Sequence, residues 1–132
     1  MQAAFIAGVV LTKNEARHIE ACVASLDWCD MRLVLDSFST DRTCELAQQA
    51  GVVVVQNKFE HYAQQRNAAL AWVQQYLKTA GIDAPYAWVF FLDADERCTD
   101  ALRDEMRYVA QSDQHVVWSV PRDNYLFGKI TR

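Results

Sequence analysis

Hydrophobic positions along the chain come in blocks that switch between two spacings. Phe5 to Leu11 is an apolar, partly β-branched run that stops at the polar cluster Thr12-Lys13-Asn14-Glu15, which predicts a buried strand and then a loop. Ile19, Cys22, Val23 and Leu26 follow at steps of three and four, the stripe of an amphipathic helix. Leu33-Val34-Leu35 predicts a second strand closed by Asp36. Ser39-Thr40-Asp41 then supplies N-cap candidates for a second helix, and Gly51 stands where its C-cap should be. Val52 to Val55 reads as a third buried strand. Ala69, Leu70, Val73, Tyr76 and Leu77 mark a third helix, ended by the stretch from Gly81 to Pro85. Trp88-Val89-Phe90-Phe91-Leu92 predicts a fourth strand that stops at Asp93. Thr99-Asp100 caps a fourth helix carrying Leu102, Met106 and Val109, and Val116 to Val120 is a fifth strand halted by Pro121.

Strands that alternate with helices and are apolar on both faces imply an α/β fold, a Rossmann-like, mostly parallel sheet flanked by helices. Such sheets bind ligands beyond the carboxyl ends of their strands, where the strand order reverses. The polar clusters after the first, second and fourth strands all fall at carboxyl ends, so they are expected to share one site.

Composition narrows the function. A length of 132 residues sets an expectation of one domain spanning 1–132, and 52% hydrophobic with 23% charged residues supports a packed core and excludes disorder. The net charge of -4 comes from interspersed acids and bases with no Lys/Arg cluster, which argues against a nucleic-acid partner. Cys22, Cys29, Cys44 and Cys98 form no C-x-x-C pair and have no His at zinc-ligand spacing, so reduced thiols and a cytoplasmic location are expected. The longest purely aliphatic run, Val52 to Val55, is too short to span a bilayer, which leaves only peripheral membrane contact.

Asp93-Ala94-Asp95 is the strongest chemical signal. A buried strand pins its backbone while two carboxylates emerge at the end. One can hold Mg²⁺ or Mn²⁺, hard cations that take one or two carboxylates plus substrate phosphates, and the other can contact sugar or ribose hydroxyls. A solvated acidic turn beside Glu96 is the plainer alternative. Asp36 can accept from a base N–H or a ribose hydroxyl, and Phe38 can offer an apolar face to a ring. Ser39, Thr40 and Asp41 read chiefly as helix caps. Arg66, in Gln64-Gln65-Arg66-Asn67 at the opening of the third helix, can reach a phosphate or the base with help from the helix dipole. His18, His61 and His115 are scattered and suggest no triad. Trp72, Trp88 and Trp118 read as core, and Trp28 as a lid on the first helix.

LTKNEARHIEACVASL, VLDSFSTDRTCELAQQAG, HYAQQRNAAL, WVFFLDADE and VPRDNYLFGKI, in that order, resemble the family 2 inverting glycosyltransferases of GT-A fold, and among them the bacterial lipopolysaccharide core glucosyltransferase branch. The resemblance implies a nucleotide-sugar donor, UDP-linked by default, and transfer of a hexose such as glucose to a glycan or lipid-linked acceptor. It implies that Thr12, Glu15 and Asp36 lie around base and ribose, that Arg66 approaches the nucleotide, that Asp93 meets the ribose or donor sugar and that Asp95 binds the metal. Asp36-Ser37 stands where many relatives carry two consecutive acids. Family members continue past this point into an acceptor-binding half that supplies the catalytic base. The base is therefore expected beyond Arg132, Asp123 not being at its place, and the chain is expected to be the donor-binding half alone. A half without its counterpart would expose apolar docking surface and favour self-association. The resemblance places the reaction in the cytoplasm, at the inner face of the inner membrane. Two alternatives stand beside it: a non-catalytic nucleotide- or metal-binding module, and an aspartate-nucleophile phosphatase, which also sets D-x-D after an apolar strand but normally opens its domain with it.

Overall fold

The computed structural model describes residues 5–82, 87–112, 117–118 and 126–129. Its elements run β1 (Phe5–Thr12), α1 (Ile19–Ala24), β2 (Met31–Asp36), α2 (Thr43–Gln49), β3 (Val53–Gln56), α3 (Tyr62–Thr79), β4 (Ala87–Asp93), α4 (Asp100–Ser112), β5 (Val117–Trp118) and β6 (Leu126–Lys129). They form one sheet of order β3-β2-β1-β4-β6-β5. The first four strands in that order are parallel, and β6 is antiparallel to both β4 and β5.

Side chains alternate between the two faces of a strand, so residue parity decides what each meets. On one face Val10, Val34, Trp88, Phe90 and Leu92 pack with Ile19 and Val23 of α1, Ala47 of α2, and Leu102 and Met106 of α4. On the other, Val9, Leu33, Leu35, Val89 and Phe91 pack against Ala69, Val73 and Leu77 of α3. Those α3 residues recur every four positions, which puts them on one stripe. Gly8 points at the α1 side, where an added Cβ would lie 2.9 Å from Cys29 Sγ and 3.3 Å from Leu26 Cδ1. Close approach, not backbone freedom, requires glycine there.

Several local expectations change. Helix α1 stops at Ala24, and Leu26 is buried from the following turn, where Trp28 Nε1 donates to the Ser25 carbonyl at 3.0 Å. Strand β3 starts one residue later than expected and is half exposed, because it forms the sheet edge. Gly51 follows α2 with φ +82°, the left-handed end that glycine favours. The last strand expected from sequence appears as Val117–Trp118, with Val116, Ser119, Val120 and Pro121 outside the described residues. It does not border β4, because β6 lies between them. All four cysteines are free thiols.

Candidate functional site

Strand β1 has β2 on one side and β4 on the other, so the chain winds away from it in both directions and the order reverses between β1 and β4. The carboxyl ends meet in register there: Thr12 is paired with Asp36 of β2, and Leu11 with Asp93 of β4. The three polar clusters expected to share a site are brought together at this crevice.

Parity divides their roles. Thr12 and Asp36 face the α1/α2 side and are buried. Asp36 Oδ1 accepts from Thr12 Oγ1 at 2.5 Å and from Ser39 Oγ at 2.6 Å, while Oδ2 accepts from the Ser39 N–H at 2.8 Å. Burial alone would push this carboxyl up, but the hydroxyls of Ser39 and Thr12 and the Ser39 N–H outweigh it and hold Asp36 below the usual carboxylate range. Asp36, expected to face base or ribose, is thus fully enclosed and spends both oxygens inside the protein.

Ser39, Thr40 and Asp41 likewise do more than cap a helix. Asp41 Oδ1 does accept from the Thr43 N–H at 2.9 Å, the N-terminal turn of α2. Ser39 Oγ accepts from the Asn14 N–H at 2.7 Å, and Asn14 Oδ1 accepts from the Thr40 N–H at 2.8 Å. The Glu15 N–H donates to Thr43 Oγ1 at 2.9 Å, the Ala16 N–H to Asp41 Oδ2 at 3.1 Å, and Lys13 Nζ to the Phe38 carbonyl at 2.9 Å. The loops after β1 and β2 are laced into one unit that fixes where Glu15 stands. Asn14 and Phe38 take left-handed φ values of 56° and 52° within it, a conformation easy for Asn and costly for Phe.

Asp93 lies on the opposite face from Asp36, toward α3. Arg66 comes from the second turn of α3 rather than its opening, with its guanidinium carbon 5.9 Å from the centre of the Phe91 ring. Its charge pulls Asp93 down, yet burial and the charges of Asp95 and Glu96 win and hold Asp93 above its usual range. Glu15 is raised as well. Burial is the main cause, His18 opposes it, and Asp95, Asp41 and Asp93 add to it. Glu15 and Asp93 thus both feel Asp95, which itself is exposed. Beneath them Cys22 Sγ donates to the Asp93 carbonyl at 3.5 Å, and burial pushes that thiol up to about 12, so it stays protonated.

Arg97 carried no signal in the sequence and is the clamp of this turn. Its Nη1 donates to the Ala94 carbonyl at 2.9 Å and the Glu96 carbonyl at 2.7 Å, and Nη2 lies 3.5 Å from His18 Nδ1 on the residue before α1. The Glu96 N–H closes the turn onto the Asp93 carbonyl at 2.9 Å.

Beside the acidic cluster opens a cleft of about 480 Å³ lined by Leu11, Thr12, Lys13, Glu15, Ser37, Phe59, Tyr62 and Gln65. Gln65 is buried and locked to Asn57, accepting from its Nδ2 at 2.7 Å and donating to its carbonyl at 3.2 Å. Phe38, expected to offer a ring face, is 57% exposed but does not line the cleft. Phe59 and Tyr62 do, which sequence reasoning missed.

The family model for glycosyl transferase family 2 matches residues 9–132. The lipopolysaccharide core biosynthesis glycosyltransferase LpsC of Rhizobium meliloti is 33% identical over 93% of this chain, which spans 44% of LpsC. Among solved structures, S. aureus TarS superposes with a TM-score of 0.59 at 20% identity, over 89% of this chain and 38% of that one. Mycobacterium tuberculosis glucosyl-3-phosphoglycerate synthase, in complex with Mn²⁺, UDP-glucose and glycerol 3-phosphate, gives 0.54 at 23% identity, over 71% of this chain and 36% of that one. The chain spans less than half the length of these relatives. Its D-x-D ends the fourth strand instead of opening the domain, which sets it apart from the aspartate-nucleophile phosphatases. With a mostly parallel GT-A sheet, carboxylates gathered where its strand order reverses, and a family match along nearly its whole length, the chain belongs to glycosyl transferase family 2.

Proposed function

We propose that this chain forms the donor-binding half of an inverting glycosyltransferase that transfers a hexose, glucose by default, from a UDP-linked donor to a glycan or lipopolysaccharide core acceptor. The observation that carries this reading is the gathering of Glu15, Asp93 and Asp95 at the strand-order reversal, next to an open cleft. The likeness to LpsC supports the acceptor class. The fold is one that holds UDP-glucose and Mn²⁺ in the mycobacterial synthase. The reaction would take place at the cytoplasmic face of the inner membrane, and among the described residues no helix is long and apolar enough to cross that membrane.

The side chains fit a hard divalent cation, Mg²⁺ or Mn²⁺. Their donors are all carboxylate oxygens, and among the described residues no group of three His, Cys, Asp or Glu side chains is placed to cage an ion unaided. Such a site suits an ion that keeps waters and takes phosphate oxygens as further ligands, with Asp95 as its protein ligand. Bound there, the cation supplies charge neutralisation for the departing nucleoside diphosphate. Arg66 adds a fixed positive group toward the phosphates, and Asp93 accepts from a ribose or sugar hydroxyl. Glu15 and Thr12 border the nucleoside. Asp36 orients Thr12 and the loop carrying Ser37 from behind and does not itself touch the ligand. None of these residues is assigned the acceptor-activating base. Displacement in line, opposite the leaving diphosphate, inverts the anomeric carbon.

A panel of nucleotide sugars tested by thermal unfolding with Mn²⁺ checks this reading. A UDP-sugar should raise Tm, since a ligand that binds only the folded state stabilises it, and EDTA should remove the effect. No shift with any nucleotide sugar would refute it. Nucleotide-sugar binding without any sugar transfer would favour the non-catalytic module.

A further inference from the structure

The cleft carries two aromatic rings that folding has left in solvent. Phe59 is 41% exposed and Tyr62 64%, and their centroids lie 5.2 Å apart at an interplanar angle of 79°. Large rings are ordinarily buried, so a contacting pair lining an open cleft marks a surface suited to a flat partner. Their positions are fixed from the backbone. The Phe59 N–H donates to Ser37 Oγ at 2.9 Å, which ties the segment before α3 to the loop after β2. Tyr62 is the first residue of α3, whose N-terminus is capped by His61 Nδ1 accepting from the Gln64 N–H at 3.2 Å.

The sheet tells which part of a donor meets these rings. The acidic groups assigned to the diphosphate stand at the end of β4, whereas the cleft opens at the ends of β1 and β2 and includes neither Asp93 nor Asp95. Adjacent strands lie about 4.8 Å apart. A donor whose diphosphate sits at β4 therefore extends across β1 toward β2, and the nucleoside and the sugar leave the diphosphate from opposite ends. The planar, π-faced portion of such a molecule is the nucleobase.

We infer that Phe59 and Tyr62 form the wall on which the donor's nucleobase stacks, making this pair the affinity determinant for the nucleoside rather than for the sugar or metal. The inference rests on the nucleotide-sugar reading of the site. Aromatic stacking tolerates any base, so the wall contributes affinity rather than selectivity.

Calorimetric titration of UDP and of inorganic pyrophosphate, both with Mn²⁺, separates the possibilities. Tyr62→Ala and Phe59→Leu should each weaken UDP binding on the order of tenfold and leave pyrophosphate binding unchanged. Tyr62→Phe should bind UDP like the unmodified protein. UDP affinity unaltered in both ring-removing variants would overturn the wall, as would equal losses for UDP and pyrophosphate. Should the unmodified protein bind UDP no more tightly than pyrophosphate, the nucleotide reading itself falls.

Discussion

Asp36 and Asp93 end two strands that flank β1, yet their acidities move in opposite directions, and the difference lies in what each oxygen touches. Asp36 has two hydroxyls and an N–H for company. Asp93 has burial, then Asp95 and Glu96, with Arg66 as a partial offset. Because Asp36 titrates below its ordinary range when folded, its stabilising contribution is fully present above the carboxyl's unfolded value and is lost as pH falls through the lower folded one. Asp36→Asn should therefore cost about 2 kcal/mol at neutral pH, the scale of breaking hydrogen bonds to a buried charge, and the deficit should shrink in strong acid. Urea melts of both proteins across that range measure it. Glu15 and Asp93 behave oppositely. Their folded values are raised, so the fold loses stability as pH rises from the unfolded carboxyl value through the folded one. Removing a neighbouring charge with Asp95→Asn should stabilise the metal-free protein at neutral pH while abolishing Mn²⁺ binding. Chemical denaturation in EDTA checks the first effect, and a fall in stability there would contradict the repulsion.

At the scale of elements, the turn from Asp93 to Arg97 matters more than its acids alone. Arg97 binds the carbonyls of Ala94 and Glu96 and reaches His18, so it holds the turn's shape without standing among the proposed ligands. Arg97→Met should weaken Mn²⁺ binding by about tenfold, as loss of an orienting partner behind a metal ligand does. Mn²⁺ electron paramagnetic resonance reads that directly, and an unchanged affinity would remove Arg97 from the account. Gly8→Ala tests the packing of β1 against the segment after α1. With Cys29 Sγ 2.9 Å from the new methyl, it should cost about 1–3 kcal/mol in a denaturation experiment.

The strands that carry the site were legible because continuous apolar runs end abruptly at Thr12, Asp36 and Asp93, and burial on both faces leaves little else such runs can be. Strand β6 was not. Leu126–Lys129 is four residues long, includes a glycine and has no alternation long enough to read. Phe59 and Tyr62 were passed over because nothing in Lys58-Phe59-Glu60-His61-Tyr62 separates rings bound for a core from rings bound for a cleft. Ser39 and Thr40 looked like caps because cap residues and loop-lacing residues are the same chemical types. Which role they take depends on Asn14, 25 or more positions away.

For the whole molecule, one sheet solves the placement problem. Helices pack on both of its faces, and the strand order reverses between β1 and β4, where the carboxyl ends gather. Parity then assigns Asp36 to an interior network that stiffens one wall and Asp93 to the side where Arg66 waits. The acidic turn follows β4, and the aromatic cleft opens at the ends of the neighbouring strands β1 and β2. The central claim is that carboxylates at this crevice grip a diphosphate through a divalent cation. It is tested most directly by titrating UDP into the unmodified protein and Asp95→Asn, each with Mn²⁺ and again with EDTA. Tight binding is expected only for the unmodified protein with Mn²⁺. Equal affinity in all four titrations would contradict the account.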